Sequence, residues 1–436
     1  MPLTSRRSFL AGLGSASAGA AIALPVFNER AFKRLFDAEL VAGERSAQSL
    51  ADDETYWSHI QRAFDMDRTM INLNNGGISP TPTHVLQQMV RDLQFVNELP
   101  VEHNWRILEP RMESTRRELA KDFGCDTEEM AITRNASESM ETMILGLDLR
   151  RGDEVIITNQ NYGRMITTWD QRVRRDGIVL KQVAFPVPLT DPSVLVRAIE
   201  AQLTSRTKAI ELPHITNLTG QILPIRDVVR LARPRGIPVF VDGAHAFAHF
   251  PFTRDELECD YYGTSLHKWL HAPIGSGFLY VRNERIPQLW PLMAADDHQT
   301  GDIRKYEQIG THPQANFNAV STALTFHRGV GVERKVARLR YLRDRWANAL
   351  TATSPRVQVL TELGPDKAGA ICMFNVDGIE PGPLGGWLLN KYRIVNTPIV
   401  HPEFKGIRIT PSIYTTVDEI DTFVDAVKTA IRNGIA

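Results

Sequence analysis

The sequence predicts an α/β fold with a mostly parallel central sheet sandwiched by helices. Two observations carry this reading. Five short β-rich runs, EMAIT (129–133), EVIIT (154–158), KAIEL (208–212), IPVFV (237–241) and GFLYV (277–281), alternate with apolar-periodic stretches such as Ser137–Leu145, Val194–Gln202 and Ile225–Arg233. The runs are also almost continuously apolar, as strands covered on both faces must be. At 436 residues the chain is too long for one small core, which favours two domains.

Taken in order, the first segment is SRRSFLAGLGSASAGAAIALP, with Arg6 and Arg7 ahead of a mildly apolar run and Ala21-Ile22-Ala23 as a small-residue cleavage site. It resembles a twin-arginine export signal, so residues 1–27 are set aside and a periplasmic or exported protein, handed to the twin-arginine export machinery, is expected. The run from Phe9 to Leu24 is too short for a comfortable membrane span, and no other segment approaches one. Residues 28–70 read as a polar helical arm. The stretch INLNNGGISPTPTHV (71–85) marks a tight loop whose prolines open a helix near Thr83, and helical patterns follow at 84–98 and 107–123. The large domain is then expected over 71–315 and the small one over 316–436.

Composition narrows the function. Lys plus Arg (50) balances Asp plus Glu (51), so no net field calls for nucleic acid or an anionic membrane, and a small-molecule partner is expected. The three cysteines, Cys125, Cys259 and Cys372, form no C-x-x-C pair and no even framework.

In open α/β sheets chemistry sits beyond the carboxyl ends of the strands. After EMAIT comes TRNASES, where a helix starts at Ala136-Ser137; its free N–H groups are a candidate anion site, or Ser137 is an ordinary cap. After EVIIT comes Tyr162, which could stack on a flat ligand or belong to the core. After KAIEL, Asn217 and Thr219 precede Gly220 in a turn. After IPVFV comes Asp242, a carboxylate at the end of a buried strand that needs a partner, either a structural one or a cationic ligand atom. Lys268, in HKWLHAPIGSGFLYV (267–281), lies between aromatic and apolar residues. Either its ammonium snorkels to water, or an apolar setting lowers its pKa and makes it a nucleophile. His245/His249 and His267/His271 repeat at i, i+4, which raises a metal hydrolase, but no Glu follows either leading His as in H-E-x-x-H. A binding protein that keeps the fold without chemistry is a third class; it has no need of Lys268 and Asp242 together.

The ordered set Asp242-x-x-His245, Ser265-x-His267-Lys268 and Pro273-x-Gly275-x-Gly277 resembles the signature of class V aminotransferases, the fold-type-I pyridoxal-phosphate enzymes. The likeness runs over roughly residues 70–430, is nearest to the isopenicillin-N-epimerase-like branch, and implies that the smaller C-terminal domain is α+β. It implies that Lys268 carries pyridoxal 5′-phosphate covalently and shuttles the substrate α-proton, and that Asp242 pairs with the pyridinium nitrogen. It further implies that Tyr162 stacks on the ring, Asn217 bonds its phenolic oxygen, and His245 packs beside it. The phosphate is expected on Ala136 and Ser137, with Ser265 and His267 completing the cup. Gly310-Thr311 resembles the family's E-x-G-T element, which reaches the neighbouring subunit's phosphate and so implies a homodimer with shared sites; the spacing E-Q-I-G-T is one residue longer. KGIRITPSIYTTVDEIDTFVDAV (405–427) resembles the family's C-terminal motif, so Arg408 is expected to bind the substrate carboxylate, with Asn75 reaching the substrate too.

Within that family the reaction expected is transamination or epimerisation of an amino acid or amino compound, with C–S or α,β-elimination as the alternative. A desulfurase needs a mobile cysteine before the C-terminal arginine, and IVNTPIVHPEFKGIR (394–408) has none; Cys372 sits in a probable strand. Epimerisation needs an acid on the opposite cofactor face, for which Tyr262, His271 and Tyr306 are candidates.

Overall fold

The computed structural model describes residues 29–435, so the twin-arginine segment lies outside the described residues. Helices Glu29–Ala42, Ala47–Leu50 and Glu54–Gln61 form the N-terminal arm. Asp53 starts the third by accepting the N–H groups of Thr55 and Tyr56, which would otherwise have no partner in the first turn. Helices Thr83–Glu98 and Glu109–Phe123 follow, joined by a π-helical stretch, Glu102–Leu108.

The strands in chain order are β1 (Ile71–Asn72), β2 (Met130–Thr133), β3 (Glu154–Thr158), β4 (Val179–Val183), β5 (Thr207–Pro213), β6 (Val239–Asp242), β7 (Tyr261–Ser265), β8 (Gly277–Val281), β9 (Val357–Val359), β10 (Cys372–Val376), β11 (Ile394–Val395), β12 (Thr397–Val400) and β13 (Lys405–Ile409). The central sheet runs β2-β8-β7-β6-β5-β3-β4. Every strand is parallel to the rest except β8, which is antiparallel to both β2 and β7. The central sheet is therefore mostly parallel, as expected, with a single reversed strand.

Two of its strands, β4 and β7, did not register as apolar runs. β4 is an edge strand with half-exposed side chains, so VLKQV need not be apolar. β7 is fully buried yet reads YYGTS, because helix Ala136–Gly146 presses onto it; a Cβ on Gly263 would lie 2.7 Å from the Ser139 Cβ.

A second, antiparallel sheet runs β12-β13-β10-β9. Its core gathers Leu342, Trp346, Phe374, Ile407 and Phe423 and also takes in Leu73, while β1 pairs in parallel with β11. Residues 71–73 thus pack with the C-terminal unit. Helix Gln314–Val330 packs instead into the first core through Phe317, Val320 and Leu324. The cores divide within helix Val332–Thr351, whose Leu339 belongs to the first and Leu342 to the second. Among the described residues no helix is long and apolar enough to cross a membrane.

Candidate active site

Strands β2, β3, β5, β6 and β7 all end on one edge of the sheet, and a cavity of about 460 Å³ opens there. At the end of β2, Asn135 caps helix Ala136–Gly146 by accepting the Glu138 N–H at 2.9 Å. Gly277 opens β8 against that cap, where a Cβ would lie 2.8 Å from the Asn135 Cα. The Ala136 N–H donates to Ser265 Oγ at 2.9 Å, which leaves the Ser265 hydroxyl proton available to an anion. Ala136 and Ser137 line the cavity, so the positive end of the helix dipole faces into it.

Asp242 ends β6 and is 6% exposed. One oxygen accepts the Ala244 N–H at 2.9 Å, and among the described residues no cation lies in direct contact with the carboxylate. Burial pushes its pKa up, opposed by that N–H and by the Lys268 ammonium. Lys268 reaches into the same cavity from the loop after β7, with Nζ 3.3 Å from His245 Nε2. Burial, aided by the charge of Arg408 and opposed by Asp242, lowers its pKa to about 8. Hence about a tenth of this amine is neutral at pH 7, far more than of an ordinary lysine, as a nucleophile requires. Burial also holds His245 well below its ordinary value and His267 at about 4, so both imidazoles are neutral there.

Arg408, on β13, closes the cavity from the C-terminal unit and is 7% exposed. Its guanidinium donates to the Asn217 carbonyl at 2.6 Å, to Asn74 Oδ1 at 2.8 Å and to Thr397 Oγ1 at 3.3 Å. Among the described residues it meets no carboxylate and its Nε has no partner, and burial lowers its pKa to about 10. A buried guanidinium held only by neutral acceptors is a receptor for an anion. Tyr162, 45% exposed, and Asn217, whose buried Oδ1 has no partner, complete the wall.

The structure therefore brings ten of the sequence-predicted site residues to one cavity: Ala136, Ser137, Tyr162, Asn217, Asp242, His245, Ser265, His267, Lys268 and Arg408. Asn75 is a correction. It is fully buried, with its amide donating to the Asn72 and Thr410 carbonyls and its Oδ1 accepting from Tyr414 and Asn72, so it holds the loop and leaves the lining to Gly76, Gly77 and Ile78. The Gly76-Gly77 pair was the sequence signal for that lining; Met140, Met165, Pro213 and Ile215, also in the wall, gave none. Thr311 is exposed and lines a different, apolar groove with Leu93, Val101 and Trp105. Nearby Glu307 is buried against Arg116 at 2.5 Å, which fixes the segment to β2.

Tyr262, His271 and Tyr306 are also corrected, since none lines the cavity. Tyr262 packs under Gly243, His271 against Phe64, and the Tyr306 hydroxyl donates to the Ile286 and Leu289 carbonyls. Both nitrogens of His249 are bonded to backbone groups, and no group of three or more His, Cys, Asp or Glu among the described residues is arranged to hold a metal. None of the three cysteines lines the cavity, and burial pushes Cys259 and Cys372 up to about 12.

Three comparisons bear on this arrangement. The chain is 28% identical over 387 residues to isopenicillin N epimerase of Streptomyces clavuligerus, covering 85% of this chain and 97% of that one. It is 28% identical over 329 residues to a probable cysteine desulfurase of Halobacterium salinarum, covering 70% and 77%. Among solved structures, the apo cysteine desulfurase of Thermococcus onnurineus superimposes with a TM-score of 0.75 at 20% identity, covering 86% and 98%. The C-S lyase C-DES, in complex with cysteine persulfide, gives 0.73 at 23%, covering 83% and 98%. Another C-DES structure carries glycine linked covalently to its pyridoxal-phosphate cofactor. The fold is that of the fold-type-I pyridoxal-phosphate enzymes, and the cavity offers what that cofactor asks of it: a helix N-terminus for a phosphate, a buried carboxylate for a ring nitrogen and a partly neutral amine for an aldehyde. The aminotransferase class-V family model matches residues 71–423, so this chain belongs to the class V aminotransferases and depends on pyridoxal phosphate.

Proposed function

We propose that the protein acts at the α-carbon of an amino acid or related amino compound, as an epimerase or aminotransferase, and that its active unit is an exported homodimer. The observation that carries the reaction is the placing of a partly neutral lysine, a buried carboxylate and an unmatched buried arginine around one cavity.

Arg408 holds the substrate carboxylate and so turns the α-carbon toward Lys268. When bound, pyridoxal phosphate supplies a ring that accepts the electron pair left at the α-carbon. Asp242 keeps a proton on the ring nitrogen by its negative charge. Lys268 Nζ removes the α-proton; returning it elsewhere than the α-carbon exchanges the amino group, returning it to the same face restores the substrate, and inversion calls for a donor on the opposite face, which Tyr262, His271 and Tyr306 do not supply. The Ala136-Ser137 helix start and the Ser265 hydroxyl fix the phosphate, and Tyr162 covers the ring.

Persulfide chemistry is disfavoured because no thiol reaches the cavity. Elimination begins with the same proton removal and is the second reading, favoured by 24% identity over 301 residues to a hercynylcysteine sulfoxide lyase of Schizosaccharomyces pombe. The dimer is supported by an exposed apolar stripe, Leu86, Val90 and Leu93, that continues into Val101 and Trp105 beside Thr311.

The test is spectroscopic. Purified protein should show a visible cofactor band that borohydride bleaches and Lys268→Ala lacks. Amino acids that shift the band are then incubated in heavy water, with and without a keto acid. Deuterium gain with inversion marks an epimerase, and amine appearing on the keto acid marks an aminotransferase. Release of sulfide or ammonia marks the lyase. A colourless protein that does not bind the cofactor sinks the proposal.

A further inference from the structure

His249 has no surface on the cavity and is fully buried, yet it touches both His245, which faces the reactive amine, and Trp269, which follows it in the chain. Its Nε2 accepts the Ala370 N–H at 2.7 Å, so the ring proton sits on Nδ1, which donates to the His245 carbonyl at 2.7 Å. His245 in turn faces Lys268 Nζ. The flat face of the imidazole stacks on Trp269, the residue after Lys268, with centroids 3.7 Å apart and planes within 12°.

The contact is built from both sides. Ala370 packs into the first core but leads two residues on into β10 of the C-terminal sheet, and a Cβ on its neighbour Gly369 would overlap His249 Nε2. Arg343, from helix Val332–Thr351, holds the Gly369 and Ala368 carbonyls at 2.8 and 3.0 Å, while Lys335 of the same helix donates to the Trp269 carbonyl. Ala248, immediately before His249, has φ 60°, a left-handed conformation that costs about 1 kcal/mol or more for a residue other than glycine and persists where its surroundings enforce it.

We infer that His249 is a positioning residue: a neutral imidazole strut that sets the places of His245 and Lys268 and ties them to the C-terminal unit that carries Arg408. Burial keeps the ring neutral, holding its pKa near 3, so the donor and acceptor roles stay fixed across the working range. The amine that reacts and the guanidinium that orients the substrate are thereby referred to one rigid contact. A shift between the two units moves the amine with it.

The inference rests on the pyridoxal-phosphate reading of Lys268, and its test uses loaded holoenzyme. His249→Asn keeps a donor near Nδ1 but gives up Ala370; His249→Gln keeps an acceptor near Nε2 but gives up His245. Both lose the stacked ring. The readouts are the pH midpoint of the visible band and the affinity of apoprotein for pyridoxal phosphate. The expected result is a midpoint moved by about one pH unit, a tenfold change in proton affinity, in His249→Gln, and a smaller move in His249→Asn. If both variants unfold earlier while midpoint and affinity stay at wild-type values, the residue is merely structural and the inference is overturned. Should either variant fail to fold, Gly369→Ala decides: its methyl pushes the ring from the C-terminal side, so a moved midpoint supports the strut and an unmoved one overturns it. Absence of any band in the wild type would instead refute the cofactor reading.

Discussion

Arg408 is the residue whose replacement most sharply separates stability from binding. Burial lowers its pKa from 12.5 to about 10, which at about 1.4 kcal/mol per tenfold amounts to roughly 3 kcal/mol against the charged form. Three hydrogen bonds from the charged guanidinium, to Asn217, Asn74 and Thr397, offset that at about 1.5 kcal/mol each. The two sums cancel to within about 1.5 kcal/mol, so apo Arg408→Met should unfold in urea close to the wild type. Breaking a buried ion pair would cost about 3–5 kcal/mol, but no pair is broken here. Binding tells the opposite story. Two charge-assisted hydrogen bonds to a carboxylate are worth about 3 kcal/mol or more, so an α-amino acid should bind at least about a hundredfold more weakly. The matching amine, which has no carboxylate, should bind both proteins alike. The assay is titration of the visible cofactor band with each member of such a pair. A stability loss of several kcal/mol, or equal weakening of acid and amine, refutes the reasoning.

Other expectations follow from single contacts. Buried Glu211 accepts hydrogen bonds from Trp169 and from Asn161, and burial, supported by the charge of Asp242, raises its pKa to about 8. The folded state then holds a proton that the unfolded carboxyl releases near its ordinary value of 4.5, so this contribution is complete below that pH and is lost as pH rises through about 8. Glu211→Gln, which cannot ionise, should remove that decline, read as urea midpoints that converge with or pass the wild type between pH of about 5 and about 9; parallel curves would contradict it. Gly277→Ala places a methyl 2.6 Å from the Thr264 carbonyl and 2.8 Å from the Asn135 Cα, so it should cost about 1–3 kcal/mol and weaken cofactor binding measured by fluorescence. Gly386→Ala, with nothing within 4 Å, is the control and should do neither. Leu93→Glu, in the exposed apolar stripe, should halve the mass seen by light scattering; an unchanged mass rules that face out as the dimer contact.

The sequence was most readable where two faces of an element are buried at once. EVIIT and GFLYV match their strands residue for residue because helices cover both sides of the sheet there. β7 escaped notice because the helix beside it demands small residues, and the small-residue demand overrides apolarity. The domain boundary at 316 was unreadable for a related reason: helix Val332–Thr351 serves two cores, and periodicity reports that a face is buried, never against what. At the site, Asp242 and Lys268 stood out because charge at the end of an apolar run is costly and therefore informative. The neighbouring asparagines show the opposite case. Asn74 reaches Arg408 while Asn75 turns into the Tyr414 network, and nothing along the chain distinguishes two adjacent amides before their loop is folded. Tyr262, His271 and Tyr306 have suitable chemistry but are buried away from the cavity lining, which only packing decides.

Under the proposed reaction, the charges around the cavity couple substrate binding to proton removal. Lys268 is kept at about 8 by burial and by the Arg408 charge, with Asp242 pulling the other way. A low value suits the free enzyme, because only the neutral amine can take up an aldehyde. It suits proton removal less well, because a weaker base removes an α-proton more slowly. When a carboxylate neutralises Arg408, one of the two influences holding Lys268 down disappears, and its basicity rises as the substrate arrives. By linkage the protonated amine and the bound carboxylate then favour each other to the same degree. A carboxylic acid without an amino group isolates this effect, since it occupies Arg408 without reacting with the cofactor. Saturating the apoenzyme with it should raise the pH at which Lys268 is trapped by a small aldehyde and borohydride, and Arg408→Met should abolish that rise. A trapping profile indifferent to the acid would show that the two cations do not sense each other, leaving burial alone to set the lysine.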